Sequence, residues 1–238
     1  DRMELGYLCE QKTLLSDGVI SISRNVGNGQ PALAEPNMQW FYPPRWVALL
    51  FTPDGGKNFS VLFHMAMAAA AMALLLRAFG RRATICVVGA YTYVLLGTIT
   101  DLSLHGSAFM VGSVYVPAAW ACARLLRRNR DTPLVRAGLS LSLGALMLGG
   151  DPQAALMALL AVGVECLFTR RVERWRILVA CSAAGLALGS IQWAPTLASM
   201  ALSSRMGGYS AETALAWSYD RPLWWATLFP GVLRTWIE

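Results

Sequence analysis

A carboxylate and an amide lie close together in the turn Gly149-Gly150-Asp151-Pro152-Gln153, which separates two strongly apolar runs. Each run has about 15 residues, fewer than the roughly 20 that an α-helix needs to cross a hydrocarbon core. The sequence therefore predicts a helical hairpin, with Asp151 as the cap of the second helix and Pro152 at its first position. The tip should lie at or slightly below the membrane surface, and ionisable groups at that depth are costly and usually functional, so Asp151 and Gln153 are candidate binding residues. The alternative is that Asp151 is only a helix cap in a hydrated turn.

Further side chains have the chemistry of a binding or catalytic site. Asp101 and His105 are four positions apart and could form an acid and base pair or half of a cation site. Gln192 lies deep in the last apolar run, where an unpaired amide costs a few kcal/mol and so requires a partner from another helix or a lipid head group. Arg205 follows that run and could pair with a phosphate or anchor the chain at the interface. His64 is expected to be a hydrogen-bonded packing residue rather than a ligand.

Composition places the chain in the membrane class. Apolar residues make up 55% of the 238 residues and charged residues 14%, which is typical of a polytopic helical protein rather than a soluble domain. The five cysteines form no CxxC metal pattern and no disulfide framework. The net charge of +6 comes mostly from arginines in short connectors, so it indicates topology and excludes a nucleic-acid-binding face. The sequence also lacks Walker, GxGxxG, GxSxG and HExxH motifs.

The hydropathy pattern predicts an all-α polytopic membrane protein in three parts. Residues 1–58 form a long external loop segment with an interfacial aromatic cluster, and a helix is expected over residues 1–15 with Leu5, Leu8 and Cys9 on one face. Gly185 and Gly189, in the last span, are expected to pack against another helix. Residues 59–201 form the helical bundle, and residues 202–238 form an external loop and an interfacial or next-span segment. The expected spans are residues 59–79, 83–99, 107–126, the hairpin 134–148 and 154–168, and 177–201.

Arginine placement predicts the orientation. Twelve of the twenty Lys and Arg residues lie in three connectors, at residues 77–82, 124–136 and 170–176. If every span crosses once and the hairpin crosses twice, all three connectors fall on one side, which should be cytoplasmic. Residues 1–58, the loop at 100–106, the hairpin tip and residues 202–221 then lie on the extracytoplasmic side. The candidate site residues are therefore expected on the extracytoplasmic face of a multi-pass protein of the cell membrane.

Several short motifs, in order along most of the chain, resemble one family. The likeness is to bacterial YfhO-like membrane proteins, which have the GT-C architecture of polyprenyl-phosphate-sugar-dependent glycosyltransferases. The motifs are Leu15-x-x-Gly18, Gly27-Asn28-Gly29-Gln30-Pro31-Ala32-Leu33-Ala34-Glu35-Pro36, Phe41-Tyr42-Pro43-Pro44, Gly150-Asp151-Pro152-Gln153, Gly189-Ser190-Ile191-Gln192-Trp193-Ala194-Pro195 with Ser203-Ser204-Arg205, and the stretch 222–230.

The resemblance implies transfer of a sugar from a polyprenyl-phosphate donor in the membrane lipid to an extracytoplasmic acceptor such as a cell-envelope polymer, lipid or protein. It implies a carboxylate in the first external loop as the base, for which Asp1 is the first choice and Asp101 the reserve. Arg205 would hold the donor phosphate. The remaining substrate-binding candidates are Asp151, Gln153, Gln192 and His105. A divalent cation, Mg²⁺ or Mn²⁺, stays open as a cofactor, without an assigned metal ligand.

Two other classes of function remain open. A lipid or small-molecule transporter or flippase would also use a broken hairpin with an acidic tip, but it should show an internal repeat, and only one such break is found. A non-catalytic membrane scaffold is the third possibility.

Because the chain starts at Asp1 without a Met and ends in an aromatic-rich run, we expect it to be a fragment. A preceding membrane helix that ends in an acidic pair would favour the enzyme.

Overall fold

The computed structural model describes residues 2–18, 22, 31–95 and 107–202. Regular structure in these ranges is helical, apart from an isolated bridge between Ile22 and Pro31, which confirms the predicted all-α class. The chain divides into two units, residues 1–199 and 200–238, and only 200–202 of the second are described. Two 3-10 turns, Ala32–Ala34 and Pro36–Met38, precede the second helix. The helices are α1 (Arg2–Ser16), α2 (Pro43–Ala48), α3 (Pro53–Ala78), α4 (Ala83–Leu95), α5 (Ser107–Arg127), α6 (Pro133–Leu148), α7 (Pro152–Leu167) and α8 (Val172–Ala201).

Helix starts in this chain repeat one local device, a capping side chain followed by proline. The Thr52 and Thr132 hydroxyls each accept a hydrogen bond from a backbone N–H of the first turn, and the Asp151 carboxylate accepts one from Ala154 N at 2.9 Å. Proline then occupies the first helical position, where no backbone donor is required. The predicted cap at Asp151 and start of α7 at Pro152 are confirmed.

The start of α3 differs from the prediction. The span was expected to begin at residue 59, but α3 begins at Pro53 itself. Thr52 caps the helix, and Gly56 allows it to pass close to α2, since an added Cβ there would lie 2.4 Å from the Ala48 carbonyl oxygen. Gly56 therefore serves helix packing rather than a turn.

The helices pack in sequence around α5, which contacts α3, α6 and α7. One buried cluster joins α5, α6, α7 and α8 through residues that include Leu139, Leu143 and Leu178. Helix α8 lies directly on α6, because a Cβ added at Gly185 would come within 2.5 Å of the Ser140 carbonyl oxygen. A Cβ at Gly189 would similarly meet the side chain of Met147. The two glycines pack against a neighbouring helix, as predicted.

The connectors between these helices gather at two opposite ends of the first unit. At one end, which we call the arginine end, Arg174 at the start of α8 donates to the Arg127 carbonyl oxygen at 2.6 Å. There too, the Arg124 guanidinium lies 4.3 Å from the ring centroid of Phe79, at the end of α3. The other end holds the turn between α6 and α7, residues 149–152, which we call the hairpin tip. Helices of 16 residues separate the tip from the arginine end.

Two described helices, Pro53–Ala78 and Val172–Ala201, are long and apolar enough to cross a membrane. Three shorter apolar helices accompany them, Ala83–Leu95, Pro133–Leu148 and Pro152–Leu167. The two short helices of the hairpin are 16 residues each, or about 24 Å at 1.5 Å per residue. These lengths give weak support to membrane association.

Candidate functional site

The hairpin tip lies against the segment formed by residues 31–39. Gln39 Nε2 donates to the Gly149 carbonyl oxygen at 2.8 Å in a buried position. Gly150 has a φ of +84° and approaches so closely that an added Cβ would lie 2.6 Å from the Pro36 carbonyl oxygen. Only glycine satisfies both the left-handed backbone and the contact without strain. The tip and residues 31–39 are therefore fitted to each other.

The C-terminal part of α8 contacts the same segment. Gln192 Nε2 donates to the Leu33 carbonyl oxygen at 3.1 Å, and Thr196 Oγ1 donates to the Ala34 carbonyl oxygen at 2.9 Å. Gln192 is fully buried, and its Oε1 has no hydrogen-bond partner among the described residues. The partner that the sequence required for this amide is thus a backbone carbonyl, and it satisfies only the nitrogen. A buried acceptor oxygen remains at this junction.

Asp151 connects the tip to α5. Its carboxylate caps α7 through Ala154 N and lies against Gly112 of α5, where an added Cβ would be 2.7 Å from Asp151 Oδ2. Burial raises the pKa of Asp151 above 3.8, and the nearby backbone of Ala154 and Gly112 opposes the rise. The capping role proposed as the alternative from the sequence accounts for these contacts. It leaves Asp151 half-buried at the edge of the site.

The predicted site residues fall into two groups. Asp151, Gln153 and Gln192 lie at the tip end, where Gln153 is exposed beside the tip and Gln192 is joined to it through residues 33–39. The other four lie outside the described residues: Asp1, Asp101, His105 and Arg205. The structure therefore brings together the candidates from the hairpin and from α8 only.

Three aromatic side chains form a buried chain of hydrogen bonds beside this junction. His64 Nδ1 lies 2.6 Å from the Ser60 carbonyl oxygen and its Nε2 lies 2.9 Å from the Tyr42 hydroxyl, which is 3.1 Å from the Tyr115 hydroxyl. A carbonyl can only accept, so Nδ1 carries a proton, and in the neutral ring Nε2 then accepts from Tyr42. The expected packing role of His64 is confirmed, but Tyr42 and Tyr115 were not singled out as its partners.

A buried ion pair holds α1 to α2 at the same end. Arg45 Nη1 donates to Glu4 Oε1, and Arg45 Nε donates to Gln11 Oε1 at 2.7 Å. Gln11 in turn donates to the Met38 carbonyl oxygen. The predicted helix is present, but its buried face includes Glu4, Leu8 and Gln11, whereas Cys9 is exposed. The prediction of an apolar face through Cys9 is wrong because the buried face of α1 mixes apolar residues with polar ones, of which Glu4 and Gln11 pair with Arg45.

The polar buried face of α1 could have been predicted from the spacing of its residues, but it was overlooked. Glu4, Leu8 and Gln11 recur at the spacing of one helical face, and polar residues at that spacing are buried when a charged partner meets them. Arg45, within an aromatic and proline-rich stretch, is such a partner. These residues fix α1 and α2 and so hold the segment that contacts the tip.

The described residues supply hydrogen-bond acceptors rather than a metal centre. No group of three or more His, Cys, Asp or Glu side chains suited to a metal ion lies within residues 2–18, 31–95 and 107–202. The Gln192 oxygen could accept a hydrogen bond from a hydroxyl group, and the exposed Gln153 amide could donate or accept one. The two side-chain amides at this end are therefore available for hydrogen bonding, one buried and one exposed.

Comparisons of the chain with protein-family models, with curated proteins and with solved structures found no match.

Proposed function

We propose that the chain is an integral membrane glycosyltransferase of GT-C type, which transfers a sugar from a polyprenyl-phosphate donor to an extracytoplasmic acceptor. One observation carries the proposal. Stretches far apart in sequence that resemble the same family meet at one end of the first unit, through Gly150 with Pro36 and Gln192 with Leu33. Motifs that converge in space are better candidates for a shared site than motifs that stay apart.

The surface of the helices supports a multi-pass membrane location. Large apolar side chains on several helices are exposed, including Leu62 in α3 at 69% and Leu160 in α7 at 57%. A soluble monomer rarely exposes so many, whereas a lipid-facing surface requires them. The arginine end then faces the cytoplasm and the tip end faces outward, as the distribution of positive charge predicts.

The proposed reaction requires a carboxylate base for the acceptor hydroxyl and a cation for the leaving phosphate. The acceptor hydroxyl gives its proton to a carboxylate, Asp1 or Asp101, while its oxygen forms a bond to the anomeric carbon of the donor sugar. The bond between that carbon and the phosphate oxygen breaks, and polyprenyl phosphate leaves with the electron pair. Arg205 stabilises the negative charge of the leaving phosphate. The buried Gln192 oxygen supports orientation of a substrate hydroxyl rather than proton transfer, because an amide is not basic.

The test is sugar transfer by the purified protein, reconstituted with radiolabelled polyprenyl-phosphate sugars. Asp1→Asn and Asp101→Asn keep the side-chain size and remove the base, so at least one should lose about a hundredfold or more of the rate. Arg205→Ala should weaken use of the donor. Asp131→Asn, at the arginine end, is the matched control and should retain activity. Full activity in both Asp1→Asn and Asp101→Asn would remove the assignment of the base.

A further inference from the structure

A cationic cavity lies at the arginine end, between the end of α7 and the start of α8. Its volume is about 540 Å³, and four arginines line it together with the last residue of α7 and two residues of the connector. The lining residues are Arg127, Leu167, Phe168, Thr169, Arg170, Arg171 and Arg174. A concave site with four guanidinium groups attracts a phosphate rather than a neutral ligand.

The arginines of this cavity are only partly neutralised. Glu165 is buried and forms ion pairs with Arg124 at 3.2 Å and with Arg127 at 2.5 Å. No described carboxylate forms an ion pair with Arg170 or Arg171, which are both exposed at the mouth of the cavity. The exposed Glu173, on the first turn of α8, offsets only part of this charge. The mouth of the cavity therefore keeps a net positive charge.

Arg174 is already held in place before any ligand binds. Its Nη1 donates to the Arg127 carbonyl oxygen and its Nη2 donates to Asn129 Oδ1, both at 2.6 Å. Guanidinium groups fixed by the protein lose less side-chain entropy when they bind a phosphate. The cavity is thus partly organised for an anion.

An apolar groove adjoins this cavity along α7 and α8. It has a volume of about 430 Å³ and extends over residues 159–166 of α7 and 175–186 of α8, or about 16 Å along α8. Cys166 and Trp175 of the groove are the sequence neighbours of Leu167 and Arg174 of the cavity. A Cβ added at Gly163, in the wall of the groove, would meet no atom within 4 Å. The groove is therefore open space beside the cationic cavity.

We infer that these two adjoining spaces bind one anionic phospholipid of the leaflet at the arginine end. The cavity holds the headgroup phosphate through Arg170 and Arg171, and the groove takes an acyl chain. A cationic pocket at the membrane surface that continues into an apolar groove matches a phospholipid, which has an anionic headgroup and apolar acyl chains. Basic pockets between helices commonly bind anionic lipid headgroups. The inference rests on the membrane location but not on the sugar-transfer proposal, because the site lies at the end opposite the hairpin tip.

The experiment is native mass spectrometry of the purified chain after delipidation and addition of phosphatidylglycerol or phosphatidylcholine. We expect retained phosphatidylglycerol and little phosphatidylcholine. The double variant Arg170→Gln and Arg171→Gln should weaken phosphatidylglycerol binding about 30-fold, since each arginine near an anionic surface contributes roughly fivefold. The matched control, Arg81→Gln with Arg82→Gln, removes two exposed charges at the same end but outside the cavity and should bind normally.

The groove is tested separately. Ala183→Leu fills it from an exposed position, so folding should persist, and it should reduce phosphatidylglycerol retention several-fold. Ala184→Leu, exposed but outside the groove lining, should have no effect. Equal retention of both lipids, or an equal loss in the Arg81 and Arg82 control, would overturn the proposal. So would displacement by inorganic phosphate together with normal binding by Ala183→Leu, because that result indicates a site for free phosphate only.

Discussion

Asp151 has two roles at the hairpin tip. It caps α7 through Ala154 and lies against Gly112 of α5, so that it fixes both the hairpin and its position against α5. An added Cβ at Gly112 would lie 2.7 Å from Asp151 Oδ2, which shows how closely the two elements approach. Burial of this carboxylate raises its pKa.

The raised pKa of Asp151 predicts a pH dependence of stability. Because the folded-state pKa lies above 3.8, the protonated form is favoured in the folded chain, so this contribution is complete below pH 3.8 and is lost as the pH rises through the folded-state pKa. Asp151→Asn cannot ionise and should lack this loss. Thermal unfolding in detergent between pH 4 and 7 should show the wild type losing stability relative to the variant. Parallel profiles for the two proteins would contradict the assignment.

Single residues were predictable where a local rule decides them. The cap at Asp151 follows from its position before Pro152, at the boundary of two apolar runs. The spacing of Glu4, Leu8 and Gln11 indicates a buried polar face on α1, but which residue pairs with Glu4, and that Tyr42 pairs with His64, depends on tertiary packing between separate elements. Glu165, a buried acid in an apolar run, was likewise overlooked, although the arginine connectors offered its partners.

At the scale of elements, the contact between the hairpin tip and residues 31–39 depends on Gly150. Gly150→Ala would place a side chain at a φ of +84° and against the Pro36 carbonyl oxygen, so it should destabilise the chain by about 1 to 3 kcal/mol. Gly6→Ala is the control, since Gly6 lies within α1 with no atom within 4 Å of an added Cβ. That change should stabilise by about 0.5 to 1 kcal/mol. Denaturation in detergent micelles measures both, and similar effects of the two changes would contradict the role of Gly150.

The helices were predictable from hydropathy and capping residues, but the starts of α3 and α8 were not, since α8 begins at Val172 rather than at the expected residue 177. The hairpin helices lie within one or two residues of their expected bounds because Thr132-Pro133 and Asp151-Pro152 mark their starts. The same device at Thr52-Pro53 was overlooked because two glycines follow it. Glycine is unfavourable inside a helix by about 1 kcal/mol, yet close packing of Gly56 on Ala48 favours it there.

At the scale of the molecule, the two ends make opposite predictions for chemical labelling. In a Cys9→Ser background, cysteines at Ser16 and Gln153 should react with an impermeant maleimide in intact cells, because both positions are exposed at the end assigned to the outside. Cysteines at Arg81 and Arg128, exposed at the arginine end, should react only after the membrane is permeabilised. Labelling of the arginine-end cysteines in intact cells would reverse the proposed orientation.

The sequence predicted that the candidate residues share one end, but not how they meet. Counting apolar runs and arginine connectors determines which ends of the helices lie together. This counting does not show which backbone carbonyl accepts the hydrogen bond from Gln192. That acceptor, Leu33, lies in an irregular segment whose path depends on packing. The sugar-transfer site is therefore a proposal that combines the resemblance with this observed convergence.

The bond between Gln192 and Leu33 also has a consequence for biosynthesis. The two residues are 159 positions apart, so Leu33 is translated about 8 to 30 s before Gln192 at roughly 5 to 20 residues per second. During this interval the backbone carbonyls of Leu33 and Ala34 lack their partners in α8, although α1 and α2 can already form. Residues 33 and 34 therefore lack these two hydrogen bonds until α8 packs against them, and a protease or quality-control factor could reach them during that time.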